Sequence, residues 1–257
     1  TSVDYDAGGA LSINETIGAT KTIDIDATGV TTVAEAGDIT AGGAVTFGRD
    51  KTGTLTTAGE ITTTDDNVTF TNAVTQSGDV AIDTGSGAGN ILFKSTVATA
   101  DKNLTLDAGS AGDITADKSI TGGGAMTVVD GAVQKYSGAI TVDSLDIQDA
   151  TTSVTLDGDV TTETTLGINS GGTLTQNAKV ISGTSLDYDA VTIGINESIK
   201  SGTTIDIDTS GNTTTIAAAG DITAGGAVTF GADKSGTVKT AGDITTTDDN
   251  VTFTRAV

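Results

Sequence analysis

Cysteine, histidine, proline and tryptophan are absent from this chain. Without cysteine there is no disulfide and no thiolate metal site, and without histidine the commonest metal ligand and the usual neutral-pH base are gone. Much of ordinary enzymology is closed off by those two omissions. The missing cysteine does not fix a compartment, because a reducing cytosol and a disulfide-free bacterial surface both suit it. Without proline, every turn is left to Gly, Asp, Asn and Ser. Basic residues are scarce as well: 12 Lys and Arg stand against 34 Asp and Glu, a formal charge of −22. A field of that sign repels phosphate backbones and anionic head groups, so nucleic acid and membrane surfaces are poor partners. No run of about 18 apolar residues occurs, so no helical membrane span is expected. Aromatics make up 3% and hydrophobic residues 36% of the 257 positions. A core with so little bulk has to be thin, filled mainly by Val, Ile, Leu and Ala.

What the chain does have is repetition. GDITAGGAVTFG occupies Gly37 to Gly48 and returns letter for letter at Gly220 to Gly231, a separation of 220 − 37 = 183 residues. TSVDYD at Thr1 returns as TSLDYD at Thr184, and TTTDDNVTF at Thr62 returns unchanged at Thr245. Segment 1–74 thus recurs as 184–257, which makes 1–183 one long repeat and 184–257 the start of the next. The second copy stops at Val257, where the first runs on into TQSGDVAID. Such truncation leads us to expect a stretch of a longer tandem array.

A shorter beat runs inside the long one. Apolar-x-apolar triplets start at Val3 (VDY), Ile23 (IDI), Val45 (VTF) and Val68 (VTF), and again at Met126 (MTV), Leu145 (LDI), Leu166 (LGI) and Leu186 (LDY). Between Val68 and Met126 the beat blurs, with VAI at Val80, ILF at Ile91 and LTL at Leu104 competing for it. Alternation of an aliphatic or aromatic residue with Thr or Asp is the period-2 mark of a strand with one buried face. Gly, Asp, Asn and Ser clusters such as DATG, TAGG and NSGG lie between triplets and supply turns. Short strands on a beat of about 20 residues predict an all-β chain folded as a parallel β-solenoid, 19–23 residues to a coil, continuous over 1–257. Stacked at ~4.8 Å, roughly 12 coils would make a rod on the order of 60 Å long. A pair of β-sandwich domains is the alternative, but sandwich loops seldom repeat at so short and even a spacing.

The phrases AGDITAGGAVTFG, TAGDITTTDDNVTF and TLDAGSAGDIT resemble those of giant bacterial surface and secreted proteins of the filamentous-haemagglutinin type. The likeness covers essentially the whole chain. It implies a right-handed parallel β-helix shaft and an extracellular or cell-surface location, in an adhesin, a secreted exoprotein or a very long surface protein. The family's amino-terminal secretion domain carries Asn-Pro-Asn motifs, and no proline occurs in these residues.

Four sets of residues invite a chemical reading. Asp4 and Asp6 flank Tyr5, Asp24 and Asp26 flank Ile25, and the second copy repeats this as Asp187, Asp189, Asp206 and Asp208. If VDYD stacks on IDID, carboxylates align one coil apart at ~5 Å and repel unless solvent, Lys or a cation intervenes. Bridging Ca²⁺ is one reading of these eight residues; a solvated acidic stripe is the other, because an oxygen cage needs more ligands than two pairs supply. No other cofactor is suggested, and the GGxGxDx pattern of calcium-binding β-rolls does not occur.

The doublet Asp65–Asp66, repeated as Asp248–Asp249, has the look of a glycosidase carboxylate pair. A turn before the VTF strand explains the same letters more simply. The two arginines that could assist a sugar, Arg49 and Arg255, become Ala232 and Asn72 in the other copy. Thr-rich TGTLTTAG suggests an outward ladder of the ice-binding kind, which the replacement of Thr56 by Lys239 in the second copy is expected to spoil. N-x-T triplets at Asn14, Asn67 and Asn103 arise by chance in a threonine-rich chain.

With no reactive cluster retained between copies, the expected role is structural and non-enzymatic: a segment of a giant extracellular repeat protein, as adhesin shaft, surface fibre or filament building block. Its expected partners are further coils of the same long chain or neighbouring copies, with surface glycans of a host or neighbouring cell as a second class. A carbohydrate-binding or carbohydrate-cleaving β-helix is the alternative.

Overall fold

The computed structural model describes residues 1–231 and 236–254. Those residues form thirty-four strands and no helix, so none is long and apolar enough to cross a membrane as a helix. The first lap consists of β1 (Val3–Ala7), β2 (Leu11–Ile13) and β3 (Ile17–Ala19). Every later lap lays three strand segments on these three in parallel register, giving three faces named here after β1, β2 and β3. The β2 face is a sheet of twelve strands. The other two faces share a 22-stranded sheet, because Leu166–Gln176 and Leu186–Ile195 each bend round a corner and serve both, and 22 + 2 makes twice twelve. The chain is a parallel β-solenoid of about twelve turns, as its beat predicts.

Lap length varies more than expected. From Leu174 to its partner Ile193 the chain uses 193 − 174 = 19 residues, and from Thr31 to Leu55 it uses 55 − 31 = 24, one beyond the predicted range. Corners, where Gly and polar residues cluster, absorb the difference.

The blurred region between Val68 and Met126 resolves into two columns. Val68 pairs with Ile91 on the β1 face, while Val80 pairs with Leu104 and Leu104 with Met126 on the β3 face. The eight triplets are therefore not one column. VDY, IDI and the two VTF triplets lie on the β1 face, and MTV, LDI, LGI and LDY lie on the β3 face. The physical reason is simple: period-2 alternation separates inward from outward, but all three faces use the same alternation.

Parallel register places each inward residue over its counterpart one lap away. Phe47, Phe70 and Phe93 stack with ring centroids 5.2 and 4.8 Å apart and planes within 8°. Leu145, Leu166 and Leu186 continue a column on the β3 face, each essentially inaccessible. The core is as narrow and aliphatic as the composition requires.

At the corners the ladder would break, and short polar side chains complete it. The GDIT phrase shows how: Asp38 accepts the amide of Glu60 one lap on at 3.0 Å, and Asp221 in the second copy accepts that of Asp243 at 2.9 Å. Asn67, Asn90 and Asp113 pass the same bond along, accepting the amides of Asn90, Asp113 and Val133 at 2.8, 2.7 and 3.1 Å. Inside the corners Ser182 donates to the carbonyls of Ser185 and Thr164, and Ser201 to those of Thr204 and Thr184. Carbonyls that leave the sheet thereby keep a partner.

Glycine is required where corners touch. A Cβ on Gly202 would lie 1.9 Å from the Gly183 carbonyl oxygen, and one on Gly225 would lie 2.0 Å from that of Gly202. Gly8, by contrast, has open space around it. Gly202→Ala should therefore lower the free energy of unfolding by about 2 kcal/mol or more, and Gly8→Ala should change it by less than about 0.5 kcal/mol. Chemical denaturation of the two variants checks this; equal midpoints would mean the corners are not stacked.

Candidate functional site

The register anticipated for the acidic residues is the one observed. Asp4 sits over Asp24 and Asp6 over Asp26 on the β1 face; Asp187 sits over Asp206 and Asp189 over Asp208 on the β3 face. Each set of four is brought together, and the two sets lie on different faces. Around the first set the cations come from the protein. Arg49 Nη1 reaches Asp24 Oδ2 at 2.9 Å, and Lys51 Nζ pairs with Asp6 while donating to the Ala7 carbonyl at 3.3 Å. The same loop gives the Asp50 amide to Asp26 Oδ1 at 3.2 Å, and Asn72 holds it from the next lap by donating to the Lys51 carbonyl at 2.6 Å. Residues 48–53 thus form a strap across the first three laps. Lysine and arginine supply the screening that stacked carboxylates need. In the second copy the strap positions Ala232 and Lys234 fall outside the described residues, as does Arg255.

Among the described residues no group of three or more Asp or Glu converges at metal-ligand spacing. Burial pushes the Asp24 carboxyl above its usual value; Arg49 opposes this, and Asp26, Asp4 and Asp50 add to it.

A longer aspartate ladder escaped sequence reading. Asp83 sits over Asp107 and Asp107 over Asp130. Further along the β3 face Asn169 extends the anticipated Asp189–Asp208 pair by one lap. Asp83, Asp107 and Asp130 end their strands, and the register shifts between Leu106 and Asp107, so no triplet frames them. Their recurrence after an apolar-x-apolar triplet, as in VAID and LTLD, is the signal that could have found them. Asp83 and Asp107 cap turns by accepting the amides of Gly85 and Gly109 at 2.7 and 3.0 Å, where φ is +86° and +65°. Burial also raises the Asp130 carboxyl, against the Gly131 amide that lowers it and with Asp149 and Asp107 adding to the rise. One Asp130 oxygen is buried without a partner.

On the β3 face Gly167 lies between Asp146 and Asp187, one lap from each. Its missing side chain opens a shallow groove of about 420 Å³, bordered by Thr127, Thr165 and Ser185. This acidic, hydroxyl-lined hollow was also not anticipated.

The doublets are turns. Asp65 and Asp248 adopt φ of +56° and +58°, Asp65 accepts the Gly87 amide at 2.6 Å, and Asp249 accepts the Asn250 amide at 2.8 Å. The replacement of Thr56 by Lys239 does not spoil the threonine row. Thr56 stands between Thr32 and Thr75 on the β2 face, whereas Lys239 stands beside Thr215 on the β1 face. Lys239 does not interrupt the row containing Thr56, because the second copy is wound onto other faces. Two of the Asn-x-Thr asparagines, Asn67 and Asn103, use their side chains to bind the next lap.

Fold and site together define a parallel β-solenoid repeat protein with stacked acidic columns, the first of them strapped. The chain matches no protein-family model, no curated protein and no solved structure. The class therefore rests on the winding and its chemistry.

Two measurements follow from the carboxylates. Raised folded-state values mean that the folded chain binds protons more tightly than the unfolded chain around these groups. Their contribution to stability is complete below the unfolded value of 3.8 and is lost as pH rises through the folded values. Asp130→Asn should then melt higher than the parent at pH 7, with the gap closing near pH 4; a gap of equal size at both pH values contradicts the assignment. For calcium, melting with and without a chelator decides: an unchanged midpoint removes the bridging reading, and a fall that added Ca²⁺ reverses supports it.

Proposed function

We propose that this chain is a structural segment of a giant extracellular repeat protein, serving as an adhesin shaft, surface fibre or filament building block. The observation that carries this is an uninterrupted stack of about twelve parallel laps whose sequence is itself duplicated. A solenoid lengthens by copying laps, each contacting only its neighbours, so its natural product is reach. At ~4.8 Å per lap the stack spans on the order of 55–60 Å. The charge of −22 keeps such a rod soluble. Its partners in this reading are further laps of the same chain or neighbouring copies, and its place is a bacterial cell surface.

The groove at Gly167 favours a second reading, a carbohydrate-binding or carbohydrate-cleaving solenoid. Hydroxyls from Thr127, Thr165 and Ser185 beside Asp146 and Asp187 are groups that hydrogen-bond sugars.

An antibody raised against the segment should label intact cells, and the native protein should appear as rods by electron microscopy. Labelling only after lysis, or rounded particles, contradicts the shaft reading. Specific binding on a glycan array, or release of reducing sugar, supports the second reading in its place.

A further inference from the structure

The duplicated phrases do not return to the same side of the rod. Twelve laps of three segments give 36 positions in chain order. The segment beginning at Val3 is the first, and the one beginning at Leu186 is the third of the ninth lap, hence the 27th. Their separation is 27 − 1 = 26 segments, eight whole laps plus two faces. Internal packing does not register the change. Ile23–Ala27 on the β1 face and Ile205–Thr209 on the β3 face have the same sequence of burial. Phe47 stacks on Phe70 at 5.2 Å and Phe230 on Phe253 at 5.0 Å. The outward direction is what the winding changes.

We infer that the 183-residue unit is a screw element, which displays one set of outward groups on a different face each time it is copied. Asp4, Asp24, Thr46 and Thr69 point out from the β1 face. Their counterparts Asp187, Asp206, Thr229 and Thr252 point out from the β3 face. Arg49 holds the Asp24 carboxylate, so a partner meets Asp4 and the outward threonine hydroxyls, which suit hydrogen bonding. Such a partner meets two copies of the set about 42 Å apart along the axis at ~4.8 Å per lap, aimed from different sides. Discrete soluble partners can occupy both, whereas a flat surface lying along one side reaches one. Three units make 3 × 26 = 78 segments, or 26 whole laps, and bring the phrase back to its first face. The inference rests on the winding; as a mode of display it deepens the shaft reading.

The chain has no cysteine, so introduced pairs report without background. Gly167→Cys with Asp187→Cys places thiols on partnered positions of the β3 face. Thr175→Cys with Asp187→Cys is the negative pair, 187 − 175 = 12 residues apart and on different faces. Asp4→Cys with Asp24→Cys is the control for a stacked pair. Under mild oxidation the 167/187 and 4/24 pairs should cross-link and the 175/187 pair should not. Cross-linking of 187 to 175, or to neither while the control reacts, overturns the inference. Biotin attached at Thr46→Cys and Thr229→Cys should hold streptavidin on different sides of the rod in micrographs; both on one side overturns it as well. Failure of the surface role would leave these results untouched, so the two ideas fall separately.

Discussion

Parallel pairing between one lap and the next governs this molecule. A parallel ladder repeated in register puts each residue over the residue one lap away. Whatever a position carries, it carries beside its counterpart: phenylalanine on phenylalanine at Phe47, Phe70 and Phe93, aspartate on aspartate at Asp4 and Asp24. The first arrangement builds a slender core without much aromatic content. The second creates repulsion, which the strap relieves by setting Arg49 and Lys51 against Asp24 and Asp6.

The same constraint explains the composition. Amides throughout the chain donate to the preceding or following lap, even at corners, as Gly42 does to Ala19 and Gly225 to Ser201. Proline has no amide to give and breaks such a ladder. Corners therefore use Gly for close approach and Asp or Asn to catch the next lap's amide. The chain's acidity is partly a by-product, since Asp38, Asp113 and Asp221 are corner acceptors before they are charges.

The interior is built mainly of aliphatic and aromatic columns, with Gln76, Gln134 and Gln176 buried among them and hydroxyls such as Ser182 and Ser201 bound to corner carbonyls. Winding decides which outer residues become neighbours. Thr56 and Lys239 occupy matching places in the two copies and yet look out from different sides. Neither a threonine row nor an acidic stripe can be traced by aligning one copy on the other.

The sequence by itself determined the alternation of inward and outward residues, the lap length to within one residue, the absence of helix among the described residues and the stacking of VDYD on IDID, because each follows from short-range period-2 patterning and a tandem beat. It could not tell one face from another, since all three present the same apolar-x-apolar pattern to the same thin core. Which face each triplet occupies, the Asp83–Asp107–Asp130 ladder, the hollow at Gly167 and the strap from Arg49 to Lys51 were decided only when corner lengths summed along the chain and set the phase of each lap. Spacing local enough to read fixed the strands; accumulated winding fixed what they stand beside.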